Sequence, residues 1–464
     1  MVADALEPIV AIATPAGVGG VGIVRLSGAG ALKLAADLFS RPLRARELRF
    51  GTFLDEHGEA IDEGMAVAFP GPASFTGEDV VEFHGHGGPV VLGLMVRACQ
   101  AAGARLARPG EFSERAFVNG KLDLAQAEAI ADLIASGSEA AARGALRSMQ
   151  GAFSRAVDAV AEDVLWLRTY VEATLDFPDE EDVDHLAGAA IGERFARARQ
   201  RLDQLLADTA QGQLITEGLE VALLGRPNAG KSSLLNRLAA SDRAIVSDIP
   251  GTTRDLLEVD LTLKGVPVTV VDTAGLRVSG DQIEQEGVRR ALARAERVDL
   301  CLLVVDAQRP ELPGVLPDWL PAAGLIVVLN KVDLLAEDQV EAAIQRVLAE
   351  LAQRGFDPVP EPRPISALTG SGLEQLVDRV LTAVGYRQEA APFSARQRHR
   401  EALQEADRTL AAAERWLTVA QPDQSLELFA EDLRQAHEAL GRIVGRVSAD
   451  DLLGEIFSSF CIGK

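Results

Sequence analysis
Apolar and polar positions alternate along this chain in two different rhythms. In the middle of the chain, short strand-like apolar runs each stop at a polar motif. Val221-Ala222-Leu223-Leu224 is followed by a glycine-rich loop, Val266-Pro267-Val268-Thr269-Val270-Val271 by Asp272-Thr273-Ala274-Gly275, and Leu325-Ile326-Val327-Val328-Leu329 by Asn330-Lys331-Val332-Asp333. Such runs bounded by turn residues predict buried strands. On both flanks the rhythm is helical. Residues 123–150, 152–175, 189–212, 394–417 and 426–444 are long amphipathic runs with few Gly or Pro. Ser448-Ala449-Asp450-Asp451 has the pattern of a capping box opening a last short helix. The simplest arrangement is an α/β domain over residues 218–384 inserted into one helical domain, built from residues 121–217 and 385–464.

The first 120 residues follow neither rhythm throughout and predict a separate mixed α/β domain. Residues 8–28 read as strand, loop and strand, 31–38 and 90–102 as helices, and 49–54, 65–69 and 75–83 as strands. Gly17, Gly19 and Gly22 match the dinucleotide-binding glycine pattern literally, but that fingerprint must open a helix. Here a strand-like run follows, so no dinucleotide site is predicted. His84-Gly85-His86-Gly87-Gly88 invites a metal reading without a third ligand, and a tight glycine turn is the expectation.

The motifs at the strand ends specify chemistry. Gly225-Arg226-Pro227-Asn228-Ala229-Gly230-Lys231-Ser232 fits the phosphate-binding loop, with a strand before it and a helix, from Ser233, after it. Backbone N–H groups at that helix start point at phosphates; Lys231 reaches the β- and γ-phosphates and Ser232 ligates Mg²⁺. Asp272 suits Mg²⁺ contact through water, and the Gly275 N–H suits the γ-phosphate. Thr252 and Thr253 lie between these motifs and supply the threonine for Mg²⁺ and γ-phosphate. Asp333 accepts from the ring N–H and exocyclic amine of guanine, which selects GTP over ATP, and Ser366-Ala367-Leu368 closes over the base. Leu276 stands where Ras-like proteins carry the glutamine that orients water, so another group must replace it. Glu284, in the polar stretch 279–284, is the candidate.

Composition narrows the partners. With 46 basic and 69 acidic residues the formal charge is −23, which argues against tight non-specific nucleic-acid binding. RNA contact then needs a local basic patch or a partner. Cys99, Cys301 and Cys461 are too few and too scattered for a disulfide framework, and they suit a reducing compartment. Residues 1–7 do not read as a signal peptide, and no run approaches the roughly 18 apolar residues of a membrane span, so a cytoplasmic protein is expected. Cys461 reads as a small apolar residue rather than a nucleophile, since no base is tied to it.

Several stretches go beyond GTPase motifs. They are Gly19-Gly20-Val21-Gly22-Ile23-Val24-Arg25, Phe75-Thr76-Gly77-Glu78-Asp79, Gly85-His86-Gly87-Gly88, and Pro109-Gly110-Glu111-Phe112-Ser113-Glu114-Arg115-Ala116-Phe117. To these add Lys121-Leu122-Asp123-Leu124-Ala125-Gln126-Ala127-Glu128, Gly251-Thr252-Thr253-Arg254-Asp255 and the terminal Phe460-Cys461-Ile462-Gly463-Lys464. On these the chain resembles, over its whole length, the MnmE (TrmE) family of tRNA modification GTPases. The resemblance implies an N-terminal domain that binds 5-formyltetrahydrofolate or a related one-carbon folate and forms a homodimer. It implies a heterotetramer with MnmG, an FAD-dependent partner, that places an aminomethyl or carboxymethylaminomethyl group on carbon 5 of the tRNA wobble uridine. It assigns GTP contacts to Asn228, Ala229, Gly230, Lys231, Ser232, Ser233, Ser247, Asp248, Ile249, Pro250, Gly251, Thr252, Thr253, Asp272, Thr273, Ala274, Gly275, Asn330, Lys331, Asp333, Ser366, Ala367 and Leu368. It assigns K⁺ to Asn228, Ser247, Ile249 and Thr252, and Mg²⁺ to Ser232 and Thr253. It gives Glu284 the role of orienting water through a bridging water, and folate to Arg25, Glu82, Lys121 and Lys464. Pro250 departs from the small residue, such as Ala, expected in the loop around K⁺. A ribosome-assembly GTPase switch would share the GTPase motifs, but should carry an RNA-binding appendage and a more basic balance.

Overall fold
The structure is a computed structural model. It describes residues 7–176, 187–241, 258–272, 298–314, 316, 320, 324–387, 393–418, 422–446, 450–458, 460 and 463. The chain separates into two compact units. One comprises residues 1–131, 148–201 and 405–464, the other residues 132–147 and 202–404.

The first unit holds a six-stranded sheet in the order β3-β4-β5-β2-β1-β6, made of β1 (Ile9–Ile12), β2 (Gly19–Ser27), β3 (Arg49–Leu54), β4 (Ala60–Phe69), β5 (Val80–Gly87) and β6 (Arg105–Leu106). Only the β1–β6 pairing is parallel; the others are antiparallel. Residues 8–28 do fold as strand, loop and strand. The strand expected over 75–83 starts only at Val80. Before it, Thr76 Oγ1 and Ser27 Oγ lie 2.7 Å apart and Gly71 N–H donates to Asp79 at 2.9 Å, bonds that hold a loop. The glycine turn expected at residues 84–88 is also corrected: residues 84–87 belong to β5 and pair with β2. Its glycines serve packing instead, since a Cβ on Gly87 would sit 2.7 Å from the Gly19 carbonyl oxygen.

Side chains of β2 and β5 alternate, as strand geometry requires. Val24, Leu26, Val81 and Phe83 join Leu34, Leu92 and Met95 of helices α1 (Ala31–Asp37) and α2 (Pro89–Ala101) in a core. Arg25, Glu82 and His84 fall on the opposite face. Helix α3 (Glu111–Val118) brings Phe112 against Ile9 and Ala11. The amphipathic stretch 123–150 is two helices, α4 (Leu124–Ala135) and α5 (Glu139–Met149), broken near Gly137; α6 (Ala152–Asp176) and α7 (Ala187–Thr216) follow.

The second unit holds the sheet β12-β11-β10-β7-β9-β8, from β7 (Leu219–Gly225), β8 (Glu258–Leu263), β9 (Val266–Asp272), β10 (Leu300–Asp306), β11 (Leu325–Asn330) and β12 (Arg363–Pro364). All its pairings are parallel except β8–β9. Parallel strands are covered on both faces, which is why they read as continuous apolar runs. Leu219, Val221 and Leu223 pack with Leu234 and Leu238 of α8 (Lys231–Ser241) and with Leu376 and Val380 of α10 (Leu373–Ala383). Ala222, Leu224, Cys301 and Leu303 pack with Val347 and Leu351 of α9 (Glu337–Gln353). Burial pushes the Cys99 thiol up to about 12 and raises that of Cys301 as well, so neither is poised as a nucleophile. Helices α11 (Gln397–Glu414), α12 (Pro422–Val444) and α13 (Asp450–Ser458) complete the described chain. Ser448 of the expected capping box lies outside the described residues. Among the described residues, no helix is long and apolar enough to cross a membrane.

Candidate nucleotide and folate sites
Parallel strands end at one edge of a sheet, so their terminal motifs converge there. Gly225 closes β7 at φ +146°, where a Cβ would meet the Val304 carbonyl oxygen at 2.3 Å. Only glycine lets the loop leave the strand beside β10. Asn228 at the tip has φ 64°, and Gly230 returns the chain into α8 at φ +97°. A Cβ on Gly230 would lie 2.2 Å from Asn330 Nδ2. The loop is therefore shaped for close backbone approach and ends on a helix N-terminus, as phosphate binding requires.

Lys231 is almost buried, and its ammonium donates to the Gly225 and Arg226 carbonyls at 2.8 and 3.0 Å, over the loop itself. Ser232 and Ser233 lie exposed in the first turn of α8. An exposed hydroxyl at Ser232, in the first turn of the helix that follows the loop, is an oxygen donor of the kind Mg²⁺ takes beside a phosphate.

Asn330 joins two of the motifs. Its Nδ2 donates to the Ala229 carbonyl at 3.0 Å, and its Oδ1 accepts from the Ala367 N–H at 3.0 Å. Buried Asn330 thus fixes the phosphate loop against the loop Ser366-Ala367-Leu368, in which Ser366 is fully buried and Leu368 is exposed. Lys331, at φ 69°, donates to the Asn228 carbonyl at 2.7 Å and pairs with Asp306 at 2.7 Å. Asp333 sits exposed in the 3₁₀ turn Val332–Leu334.

Asp306 and its strand were missed by the sequence reading, although Leu300–Val305 is as apolar as the runs that were named. The signal was the same: an apolar run ending in a carboxylate. Asp272 closes β9. Ser247, Asp248, Ile249, Pro250, Gly251, Thr252, Thr253, Thr273, Ala274, Gly275, Leu276 and Glu284 lie outside the described residues.

Asp333→Asn is expected to weaken GTP binding and favour xanthosine triphosphate, since the amide replaces an acceptor with a donor. A charge-assisted hydrogen bond of about 1.5–3 kcal/mol corresponds to roughly 10- to 100-fold in affinity. Titration of both nucleotides checks this, and unchanged GTP affinity would remove Asp333 from base recognition.

In the first unit, Arg25 and Glu82 are cross-strand partners of β2 and β5, and Arg25 Nε and Nη2 each lie 2.9 Å from Glu82 Oε1. The Arg25 guanidinium lies 5.7 Å from the ring centres of both Phe75 and Phe112, and its Nη1 donates to the Gly463 carbonyl at 3.2 Å. Lys121 Nζ donates to the Pro72 carbonyl at 3.0 Å, in the loop that carries Phe75. Lys464 and Cys461 lie outside the described residues. Paired charges beside the exposed ring of Phe75 fit the hydrogen-bonding edge and flat ring of a pterin. Among the described residues no cluster of three metal-ligating side chains occurs, and His86 instead meets Asp62 through its backbone N–H and its Nδ1, each at 2.8 Å.

The Pro109–Phe117 stretch builds the floor of this unit. Glu111 is 2% exposed and bonds Arg105 at 2.5 and 2.8 Å, the Arg108 N–H at 2.9 Å and Arg115 at 3.1 Å. Burial by itself would raise the Glu111 carboxyl; the Arg105 bonds, the Arg108 N–H and the nearby guanidinium charges outweigh it and hold it at about 2. A carboxyl whose folded value lies below its ordinary 4.5 contributes stability that is complete above that value. That contribution is lost as pH falls from about 4.5 to about 2 and is worth about 3 kcal/mol. Glu111→Gln is expected to lower the urea midpoint at neutral pH and to flatten this acid limb. An unchanged acid limb in urea titrations from pH 6 to 2 would contradict it.

Two family models match this chain. The family described as GTP-binding protein TrmE N-terminus matches residues 8–121, and the MnmE helical domain matches residues 124–461. The tRNA modification GTPase MnmE of Xanthomonas campestris pv. campestris is 52% identical over 461 residues, covering 98% of both chains. That of Pseudomonas aeruginosa is 50% identical over 468 residues, covering 99% of both. Among solved structures, the FeoB G-domain from Methanococcus jannaschii is 26% identical and covers 36% of this chain and 97% of that one, at a TM-score of 0.25. So low a score adds nothing to the strand order. Half-identity sustained from end to end, through both flanking regions as well as the phosphate loop, leaves one assignment: the chain belongs to the MnmE (TrmE) family of tRNA modification GTPases.

Proposed function
We propose that this chain hydrolyses GTP in the cytoplasm as part of the machinery that modifies carbon 5 of the tRNA wobble uridine, acting as a homodimer with MnmG, an FAD-dependent partner. The observation that carries the reading is near-complete identity coverage with MnmE relatives, in a chain whose phosphate loop, Asn330 and Asp333 are assembled at one sheet edge. The proposed division is a folate and dimerisation domain over 1–120, a helical domain from 121–217 and 385–464, and the GTPase domain over 218–384.

In this reading Lys231 and the loop amides hold the phosphates, Asp333 reads guanine, and Ser366, Ala367 and Leu368 cover the base. Ser232 and Thr253 hold Mg²⁺; Asn228, Ser247, Ile249 and Thr252 hold K⁺. Both cations would supply positive charge against the phosphoryl oxygens, and K⁺ would take the place of the arginine finger of a Ras-like GTPase. Glu284 orients the attacking water in place of the glutamine that Leu276 displaces. Arg25, Glu82, Lys121 and Lys464 hold the folate that supplies a one-carbon unit.

Potassium is expected to stimulate hydrolysis and sodium to do so poorly; equal rates in the two salts at matched ionic strength would remove the potassium site. The function is tested by combining the purified chain with MnmG, unmodified tRNA, GTP and a one-carbon folate, then following the wobble nucleoside by mass. Modified uridine that depends on the chain and on GTP supports the proposal, and modification without the chain refutes it.

A further inference from the structure
We propose that His84 is a positioning residue of the N-terminal pterin site, holding the Glu82 carboxylate in the plane in which it meets the ligand. This rests on the reading of Arg25 and Glu82 as folate contacts. Strand alternation puts Glu82 and His84 on the same face of β5, opposite the core that α1 and α2 cover, both partly exposed, while Val81 and Phe83 between and beside them are buried. Ile23 of β2 and Met65 of β4 are the cross-strand neighbours of His84, and Arg25 and Val67 those of Glu82.

The carboxylate is gripped at both oxygens. Arg25 takes Oε1 through two nitrogens at 2.9 Å, and His84 Nε2 lies 3.2 Å from Oε2. A carboxylate facing an imidazole nitrogen is an acceptor, so that nitrogen carries the proton.

The second grip matters because the terminal torsion of a glutamate is soft. The two oxygens turn together about that torsion, so a partner on Oε2 adds to the restraint that Arg25 sets through Oε1 and narrows the remaining rotation. With both oxygens held, each keeps further acceptor capacity, and the two stand side by side in a fixed plane. That is the acceptor pattern needed for the adjacent N–H and amino donors on the edge of a pterin, and fixing it beforehand spares the ligand the ordering cost.

His84 therefore acts through Glu82, and a double-mutant cycle separates this from simple packing. The probe is 5-formyltetrahydrofolate, titrated calorimetrically into the full-length protein. His84→Leu is expected to weaken binding about 10-fold, the scale of one lost preorganising hydrogen bond, and His84→Gln, whose amide N–H still donates to Oε2, to keep most of it. In a Glu82→Gln background, His84→Leu should add little further loss. Thermal melting of each variant checks that the fold is kept. Unchanged affinity in His84→Leu overturns the proposal, as does an equal loss in both backgrounds, which would mean direct contact with the ligand. If Glu82→Gln and Arg25→Ala both bind folate like wild type, it is the site reading that fails, and the two failures are told apart.

Discussion

Glu284→Ala is expected to slow GTP hydrolysis by about 10²–10⁴-fold, the range for losing a water-positioning group, while GTP binding is kept. The reason is a gap in the motif that follows β9. The phosphate loop and Lys231 are in place, Asn330 ties Ala229 to Ala367, and Lys331 ties Asn228 to Asp306. What the chain lacks is a polar side chain directly after Asp272-Thr273-Ala274-Gly275, where Leu276 has no group to bond water. Glu284 is the carboxylate in the polar stretch that follows. Because the binding groups stay in place, the loss should appear in the single-turnover rate and not in nucleotide affinity. Equal single-turnover rates in mutant and wild type would remove Glu284 from the mechanism.

Deleting Cys461-Ile462-Gly463-Lys464 is expected to abolish tRNA modification and leave GTP hydrolysis largely intact. Ile456 and Phe457 of α13, with Phe460 beyond it, pack against Leu124 and Ala127 of α4. There the chain is closely fitted. Gly463 has φ +97°, and a Cβ on it would meet the Ile12 carbonyl oxygen at 2.2 Å. Gly110 is just as constrained, since a Cβ there would lie 2.4 Å from the Phe457 carbonyl oxygen. The Gly463 carbonyl accepts from Arg25, so truncation removes a contact of a residue proposed to hold folate while keeping the aromatic anchors. The GTP residues lie elsewhere in the sequence, between Gly225 and Leu368. Cys461→Ser should be mild if the thiol only packs. Full modification by the truncated protein would refute the tail's role, and dead modification in Cys461→Ser alone would revive the reading of the thiol as a nucleophile.

Legibility differed between the two sheets for a physical reason. In the parallel sheet both faces are covered, so β7 and β11 announce themselves as apolar runs and their ends as motifs. β10 carries the same signal and went unnamed because Asp306 belongs to none of the motifs searched; its partner Lys331 shows its place. In the N-terminal unit the strand of residues 80–87 was misplaced because it is half polar and rich in glycine. Its glycines answer to neighbours distant in sequence: Gly85 makes room for Asp62, 2.7 Å from where its Cβ would be. No local pattern encodes that. The charged cluster of Glu111, Arg105 and Arg115 was likewise invisible, since burial of charge depends on partners that only the fold assembles. The break near Gly137 was missed because the apolar period runs through both helices.

The most direct test of the account is the mass of the wobble nucleoside in tRNA from cells lacking this chain. The account predicts that the carbon-5 modified uridine is lost, that the wild-type chain restores it, and that Lys231→Ala, deprived of its phosphate-binding ammonium, does not. Unchanged wobble uridine in the deleted cells would contradict it and favour a GTPase switch in ribosome assembly.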